Sequence, residues 1–305
     1  MMADVLITGI AGFVGSHLAS ALLLEGYDVA GIDITPPTNA WRLKPFIDQI
    51  TYRWQSIQDV RKLLAPVVVH LSAQADVPLG QTSPFYTAQT NIFGTLNLLE
   101  CARRSKHLKH FVHMSSESVY GKAEYLPIDE RHPLQPVNIY GATKAAGDVL
   151  AQTYYRVYDV PVTVVRSGTL YGPTMRLKQV VAIFLSQALQ NKPITVEGGD
   201  QTRDFNYISN YIDFIVTLLD NPDKTVGEVY NVASGIETSI RRLAELCIKV
   251  TGSKSKLTIK PYRAGEKGVR LALNIRKAKY LGWTPKVTLE KGLENTAQWL
   301  KEAYF

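Results

Sequence analysis

Tyr140 and Lys144 stand four residues apart in Tyr140-Gly-Ala-Thr-Lys144, at the start of a helical pattern, which puts both side chains on one helix face. A phenol titrates at about 10, too high for a base at neutral pH, but an adjacent ammonium favours the phenolate and lowers that value. Such a pair can take the proton from a substrate hydroxyl while hydride leaves the same carbon. The same spacing also occurs in plain helix-surface pairs, so the reading needs support from elsewhere in the chain. Some comes from HFVHMSSESVYG, an alternating strand pattern that ends in Ser115-Ser116 and Glu117. A Ser116 hydroxyl can hydrogen-bond the same substrate hydroxyl and keep it in line with the phenol. The alternative is a polar strand end that caps a turn.

A second constellation lies at the amino terminus. The strand pattern VLIT runs into Gly9-Ile10-Ala11-Gly12-Phe13-Val14-Gly15 and then into the helical SHLASALLLEG. Gly9 suits a tight turn, Gly12 a close backbone approach to a pyrophosphate, and Gly15 close helix–strand packing. The helix start then offers N–H groups and positive dipole to phosphates. Asp33 closes the next strand pattern, GIDI, near the spacing of about 20 residues expected for a ribose-binding carboxylate. A carboxylate there accepts from both ribose hydroxyls and repels a 2′-phosphate, and no Arg or Lys follows until Arg42. NAD is therefore expected rather than NADP.

These residues need a scaffold that brings strand ends and helix starts together. Strands are expected at Val5–Thr8, Asp28–Asp33, Val67–Leu71, His110–Met114 and Val162–Arg166, with helices at Val14–Glu25, Phe85–Arg104 and Ile139–Tyr158. Strands alternating with helices of this length imply an α/β fold of Rossmann type, a doubly wound parallel sheet covered on both faces. Beyond it, helical segments near Gln179–Gln190, Tyr211–Leu219, Ile240–Thr251 and Leu289–Glu302 alternate with short strands and Pro- and Gly-rich turns. The expected division is an NAD-binding domain over 1–165 and a smaller, mixed α/β substrate-binding region over 166–305, interleaved with the first. A substrate held by the second part would sit beyond the carboxyl ends of the strands.

Composition excludes several classes. With 46% hydrophobic and 20% charged residues, the 305-residue chain has the balance of a soluble globular protein. No apolar run reaches the roughly 18 residues of a membrane span. A strand pattern that starts within a few residues of Met1 leaves no room for a signal peptide. Cys101 and Cys247 form neither a disulfide framework nor a zinc spacing, and the six histidines show no metal spacing. His70 and His113, inside apolar strands, read as core residues. A cytoplasmic protein without bound metal is expected. The formal charge of +7 comes from scattered basic residues, which suits phosphate-bearing small substrates better than nucleic acid.

TGIAGFVGSHL, HLSA, NIFGTLNLLE, SSESVYG, YGATK, VVRSGTLYGP, TRDF, VYNVASG and LGWTP succeed one another in this order. The ordered set resembles the extended short-chain dehydrogenase/reductase family, in particular its NAD-dependent nucleotide-sugar epimerases and dehydratases of the UDP-glucose 4-epimerase kind, over essentially the whole chain. The resemblance implies Ser116, Tyr140 and Lys144 as the catalytic residues, with Tyr140 and Lys144 also touching the cofactor. It implies that Phe13, Val14, Ile34, Ser56, Ile57, Leu71, Ser72, Ala73, Asn91, Met114, Ser167 and Gly168 line NAD, beside the three glycines and Asp33. For a nucleotide-diphosphate sugar it implies Arg203 and Arg263 on the diphosphate, Glu266 near the nucleotide ribose, Thr169 in the nucleotide pocket, and Ser116 and Glu117 at the sugar. A homodimer through the helices Phe85–Arg104 and Ile139–Tyr158 is implied as well.

Some positions depart from the family pattern. Ser56 replaces an aspartate at the adenine, Ser72 an alanine, Thr169 an asparagine and Glu266 an aspartate. The sugar 4,6-dehydratases carry two acids after the serine, whereas here Glu117 is followed by Ser118. Transient oxidation at C4 and return of hydride to the other face needs no such second acid, so a 4-epimerase is expected first. A 4,6-dehydratase using Glu117 and a 4-ketoreductase rank behind it. A silent dinucleotide-binding sensor would have no need to keep Ser116, Tyr140 and Lys144 together.

Overall fold

The β-branched runs of the first half pair side by side as parallel strands. In chain order they are β1 (Val5–Thr8), β2 (Val29–Asp33), β3 (Thr51–Trp54), β4 (Val67–His70), β5 (His110–Met114) and β6 (Val162–Ser167). The sheet order is β3-β2-β1-β4-β5-β6, with Val229–Val232 as a seventh strand beyond β6. Residues Thr8, His70 and His113 lie in register across β1, β4 and β5, so the carboxyl ends of the central strands open at one level. The strand order reverses between β1 and β4, the switch point at which open parallel sheets hold ligands. β1 and β2 are buried along their whole length. That is the mark of a sheet covered on both faces, and it explains why these segments read as continuous apolar runs.

The computed structural model describes residues 3–63, 65–262 and 267–305. They form two compact units, one of residues 1–121, 133–166 and 212–230, the other of 122–132, 167–211 and 231–305. In the first unit the helices are α1 (Phe13–Leu24), α2 (Val77–Thr82), α3 (Pro84–Ala88), α4 (Gly94–Arg103) and α5 (Ile139–Tyr158). Its core joins Leu6, Val68, Phe111 and Val164 of the sheet to Leu98 and Leu99 of α4 and Ala151 of α5.

The helix expected over Phe85–Arg104 runs without a break in its helical backbone but carries an inserted π turn. A π turn over Gln89–Phe93 separates α3 from α4. The Thr95 hydroxyl donates to the Asn91 carbonyl at 2.7 Å, and the Asn91 side chain is bound to a neighbouring loop, so both ends of this residue are held outside the regular helix pattern. β3 and Val229–Val232 were not foreseen. β3 is an edge strand of mostly exposed residues, TYRW, without the apolar alternation that marks a buried strand.

The second unit has a three-stranded sheet with Thr202–Tyr207 between Thr169–Tyr171 and Glu237–Ser239, and a two-stranded sheet of Ile194–Glu197 and Leu257–Lys260. Helices Val180–Leu189, Ile240–Thr251 and Leu289–Tyr304 pack on one another. Tyr171 meets Phe205 and Tyr207 edge-on in its core. Among the described residues no helix is long and apolar enough to cross a membrane.

Candidate active site

At the end of β1 the chain enters a loop that excludes side chains. Gly9 has φ +73°, and a Cβ there would lie 2.9 Å from the Ser72 backbone N. A Cβ on Gly15 would lie 2.3 Å from the Gly9 carbonyl oxygen, so α1 can approach the strand end this closely only through glycine. Gly12 is the N-cap of α1 and supplies no side-chain cap, which leaves the first-turn N–H groups facing the loop. Phe13 and Val14, both half-buried, open that turn, with the Phe13 ring edge-on to His17. Asp33, at the end of the neighbouring β2, accepts the Ala11 N–H on Oδ2 and the Thr35 N–H on Oδ1, each at 2.9 Å. A bare loop at a helix start and a fixed carboxylate one strand away fit a dinucleotide with its pyrophosphate at α1 and a ribose at Asp33.

Leu71, Ser72 and Ala73 come directly after β4 and are half-buried, with the Ser72 N–H on the Thr8 hydroxyl at 3.2 Å. Ile34 is exposed. Ser56 caps a short turn, accepting the Gln58 N–H and donating to Gln58 Oε1. The Ile57 side chain turns into the core against Gly94, and Asn97 Nδ2 donates to its carbonyl at 2.8 Å. Asn91 is a brace. Its amide accepts from Gln74 N at 2.7 Å and donates to Gln74 O at 3.0 Å and to the Thr143 hydroxyl at 2.9 Å. Thr143 in turn donates to the Tyr140 carbonyl at 2.8 Å, so the loop after β4 is tied to the first turn of α5.

The residues expected to do chemistry meet where β5 ends and α5 begins. Asn138 caps α5 by accepting the Gly141 N–H at 2.8 Å. A Cβ on Gly141 would lie 2.5 Å from the Ser118 carbonyl oxygen, so a glycine is what lets the helix start press against the Ser116–Val119 turn. Tyr140 precedes this contact, and Lys144 lies one helical turn on. The Lys144 ammonium donates to the Met114 carbonyl at the end of β5. Burial pushes this lysine down to about 8, while the Asp148 carboxylate one turn further pulls it back up. Ser116 accepts the Ser118 N–H at 3.2 Å, which leaves the hydroxyl proton available as a donor. Glu117 is buried beside it.

Sequence reasoning missed what lies behind these groups. Asp148, fully buried, accepts from Ser115 Oγ at 2.8 Å and from Arg166 Nε and Nη2 at 2.8 and 3.2 Å. Arg166 also donates to the Tyr120 hydroxyl at 3.0 Å. The network locks β6 and α5 to Ser115 at the end of β5, next to Ser116 in the chain. Its one visible signal was an arginine inside the apolar run VVRSG. His70 lies 2.8 Å from the Thr8 hydroxyl and 2.9 Å from that of Thr95, and burial holds both it and His113 well below the ordinary histidine value. Neither adds a competing positive charge beside Lys144.

In the second unit Ser167 ends β6, Gly168 donates to the Val232 carbonyl at 2.9 Å, and Thr169 begins the next strand. Half-buried Arg203 donates to the Thr202 carbonyl at 2.8 Å. Beside it Asp204 is raised to about 6 by burial, against the N–H groups of Ser234, Gly235 and Leu273 that it accepts. Arg263 and Glu266 lie outside the described residues.

The sequence profile of the GDP-mannose 4,6 dehydratase family matches residues 6–296. The chain belongs to this family. It is thereby an enzyme of the extended short-chain dehydrogenase/reductases, NAD-dependent epimerases and dehydratases of nucleotide sugars. A UDP-glucose 4-epimerase of Mycolicibacterium smegmatis is 31% identical over 97% of this chain and 98% of its own length. A human dTDP-D-glucose 4,6-dehydratase is 30% identical over 98% of this chain and 90% of its own. The crystal structure of a UDP-glucuronic acid 4-epimerase from Bacillus cereus, in complex with UDP-glucuronic acid and NAD, superposes with a TM-score of 0.91 at 32% identity. It covers 99% of this chain and 100% of that one. The fold expected from the sequence, a Rossmann-type parallel sheet with a smaller α/β part, is the fold of this family.

Proposed function

We propose that this protein is a nucleotide-sugar 4-epimerase that uses NAD, with Tyr140 as the base, Lys144 as its electrostatic partner and Ser116 as the substrate anchor. The observation that carries the epimerase reading is Ser118 directly after Glu117. Elimination of water across C5 and C6 of a sugar needs a base for the C5 proton and an acid for the leaving hydroxyl. A serine is a poor substitute for a carboxylate in either role. Buried Glu117 favours a second reading, a 4,6-dehydratase in which this one acid serves the elimination.

The glycine loop and Asp33 would hold the dinucleotide, and Lys144 would hold its nicotinamide ribose. NAD, when bound, supplies the acceptor for hydride from C4 and its return to the other face. The chain's own part is proton chemistry and orientation. Tyr140 takes the O4 proton as C4 is oxidised and gives it back on reduction. Lys144 favours the phenolate in its charged form, and because burial lowers it to about 8 this support fades as pH rises past that value. Ser116 donates to O4 and holds it in line, Arg203 and Arg263 grip the diphosphate, and Glu266 lies near the nucleotide ribose. The protein is assigned to the cytoplasm, in keeping with two free, buried cysteines, and to a homodimer through α5 and the helix pair α3–α4. Phe85, Val149 and Val157 on these helices, and Phe93 in the π turn between α3 and α4, are exposed and apolar, and light scattering reads the mass.

The deciding experiment is incubation with UDP-, dTDP-, GDP- and CDP-sugars in heavy water, then NMR of the products. The expected product is the C4 epimer of one of them with no deuterium at C5. Deuterium at C5 with a stable 4-keto-6-deoxy product refutes the epimerase assignment.

A further inference from the structure

The edge strand β3 carries two aromatic residues that neither the cofactor fingerprint nor the catalytic groups account for. β3 runs parallel to β2, with Tyr52 opposite Gly31 and Trp54 opposite Asp33. Two positions apart on one strand, both rings lie on the same face of the sheet. Each uses its one polar atom on the loop that leaves Asp33. The Tyr52 hydroxyl donates to the Thr35 carbonyl at 2.6 Å, and Trp54 Nε1 donates to the Ile34 carbonyl at 3.0 Å. The Thr35 N–H points back to Asp33 Oδ1, while Ala11 N holds Oδ2. The Ile34–Thr35 and Thr35–Pro36 peptide units are thus gripped from β3, and the first of them returns the grip to the carboxylate. Pro36 and Pro37 stiffen the next stretch of the loop. Trp54 is 65% exposed, a costly place for an indole unless its N–H has a task. Burial and the Asp33 charge both raise the Tyr52 phenol, so it stays a donor at every working pH.

We infer that Tyr52 and Trp54 are positioning residues for cofactor choice: by pinning the Ile34–Thr35 backbone they stop Asp33 from swinging away, so that its acceptors stay set for a ribose diol and its charge stays set against a 2′-phosphate. The inference rests on the placement of a ribose at Asp33. On a free loop a carboxylate relieves repulsion by rotating. Held by two N–H groups, one of them on a peptide that is itself clamped, it does not.

The test is calorimetric titration of NAD and NADP into the wild type, Tyr52→Phe, Trp54→Phe, their double variant, Asp33→Ala and the triple variant. The phenylalanines keep an aromatic ring and remove the donors. Each lost hydrogen bond corresponds to roughly a two- to tenfold change in an equilibrium. The double variant is expected to weaken NAD by roughly five- to thirtyfold, with NADP changed by less than about threefold, so the preference narrows. In the Asp33→Ala background the same two changes should leave the NAD/NADP ratio where Asp33→Ala alone put it. A merely structural role for β3 would weaken both cofactors alike and would act equally with and without Asp33; either outcome overturns the inference. A ratio untouched by Asp33→Ala itself removes the ribose from Asp33 and takes the clamp with it. A ratio shifted by Asp33→Ala but not by the double variant sinks the clamp alone.

Discussion

Asp148→Asn keeps the shape of the side chain but removes the charge that balances Arg166. Both residues are buried, with side chains 0% and 4% exposed, and an arginine stays protonated even without its partner because its intrinsic value lies so high. The substitution therefore leaves an uncompensated buried guanidinium, a change that typically costs about 3–5 kcal/mol. At roughly 2–4 °C per kcal/mol for a unit of this size, the melting temperature should fall by about 6–20 °C. Urea unfolding should show a lower midpoint at an unchanged slope. Arg166→Leu on the same background removes the stranded charge and should recover part of the loss. Recovery stays incomplete because the Tyr120 hydroxyl then lacks the donor that Arg166 gives it at 3.0 Å. The reasoning is refuted if Asp148→Asn alone costs less than about 1 kcal/mol, or if the double variant is no more stable than the single one.

Tyr140→Phe should lower turnover by roughly 10²–10⁴ with NAD still bound, as expected for loss of a general base, and a rate close to wild type would exclude Tyr140 from that role. Lys144 is held at about 8 when folded, against a higher value when unfolded. The unfolded chain thus binds the extra proton between those two values, and stability should rise as pH climbs through that window. Urea midpoints from about pH 7.5 to 10.5 in wild type and Lys144→Met read this, and parallel curves would contradict it. Gly15→Ala drives a Cβ to 2.3 Å from the Gly9 carbonyl oxygen, so NAD affinity should drop by roughly tenfold or more in a titration. Arg203→Ala should raise the substrate KM more than it lowers kcat, because a diphosphate does not react; a selective loss of kcat would place the residue elsewhere.

Much of the scaffold was written locally. β1, β5 and α5 fell where the sequence put them, because a buried strand shows as a short β-branched run and a one-sided helix as a 3.6-residue period, each within its own segment. The glycine loop and Asp33 were legible for a related reason, since strand, turn and helix succeed one another directly and the acid closes the next strand. The placement of Tyr140 and Lys144 one turn apart on α5 needed only helical spacing. β3 was invisible because an exposed edge strand need not alternate, and its partner strand decides that it is a strand at all. The π turn inside the helix over Phe85–Arg104 holds Asn91, whose partners Gln74 and Thr143 are distant from it in sequence.

The chemistry-bearing residue types, the order of the elements and the family to which they belong can be read from short segments and their spacing. The fold sets what surrounds the charges. It buried Lys144 against the Met114 carbonyl, joined the Asp148–Arg166 pair to Ser115, and hung the Ile34–Thr35 loop from Tyr52 and Trp54. The physical reason is range: periodicity and turn chemistry act over a few residues, whereas desolvation and ion pairing depend on groups brought together from far along the chain.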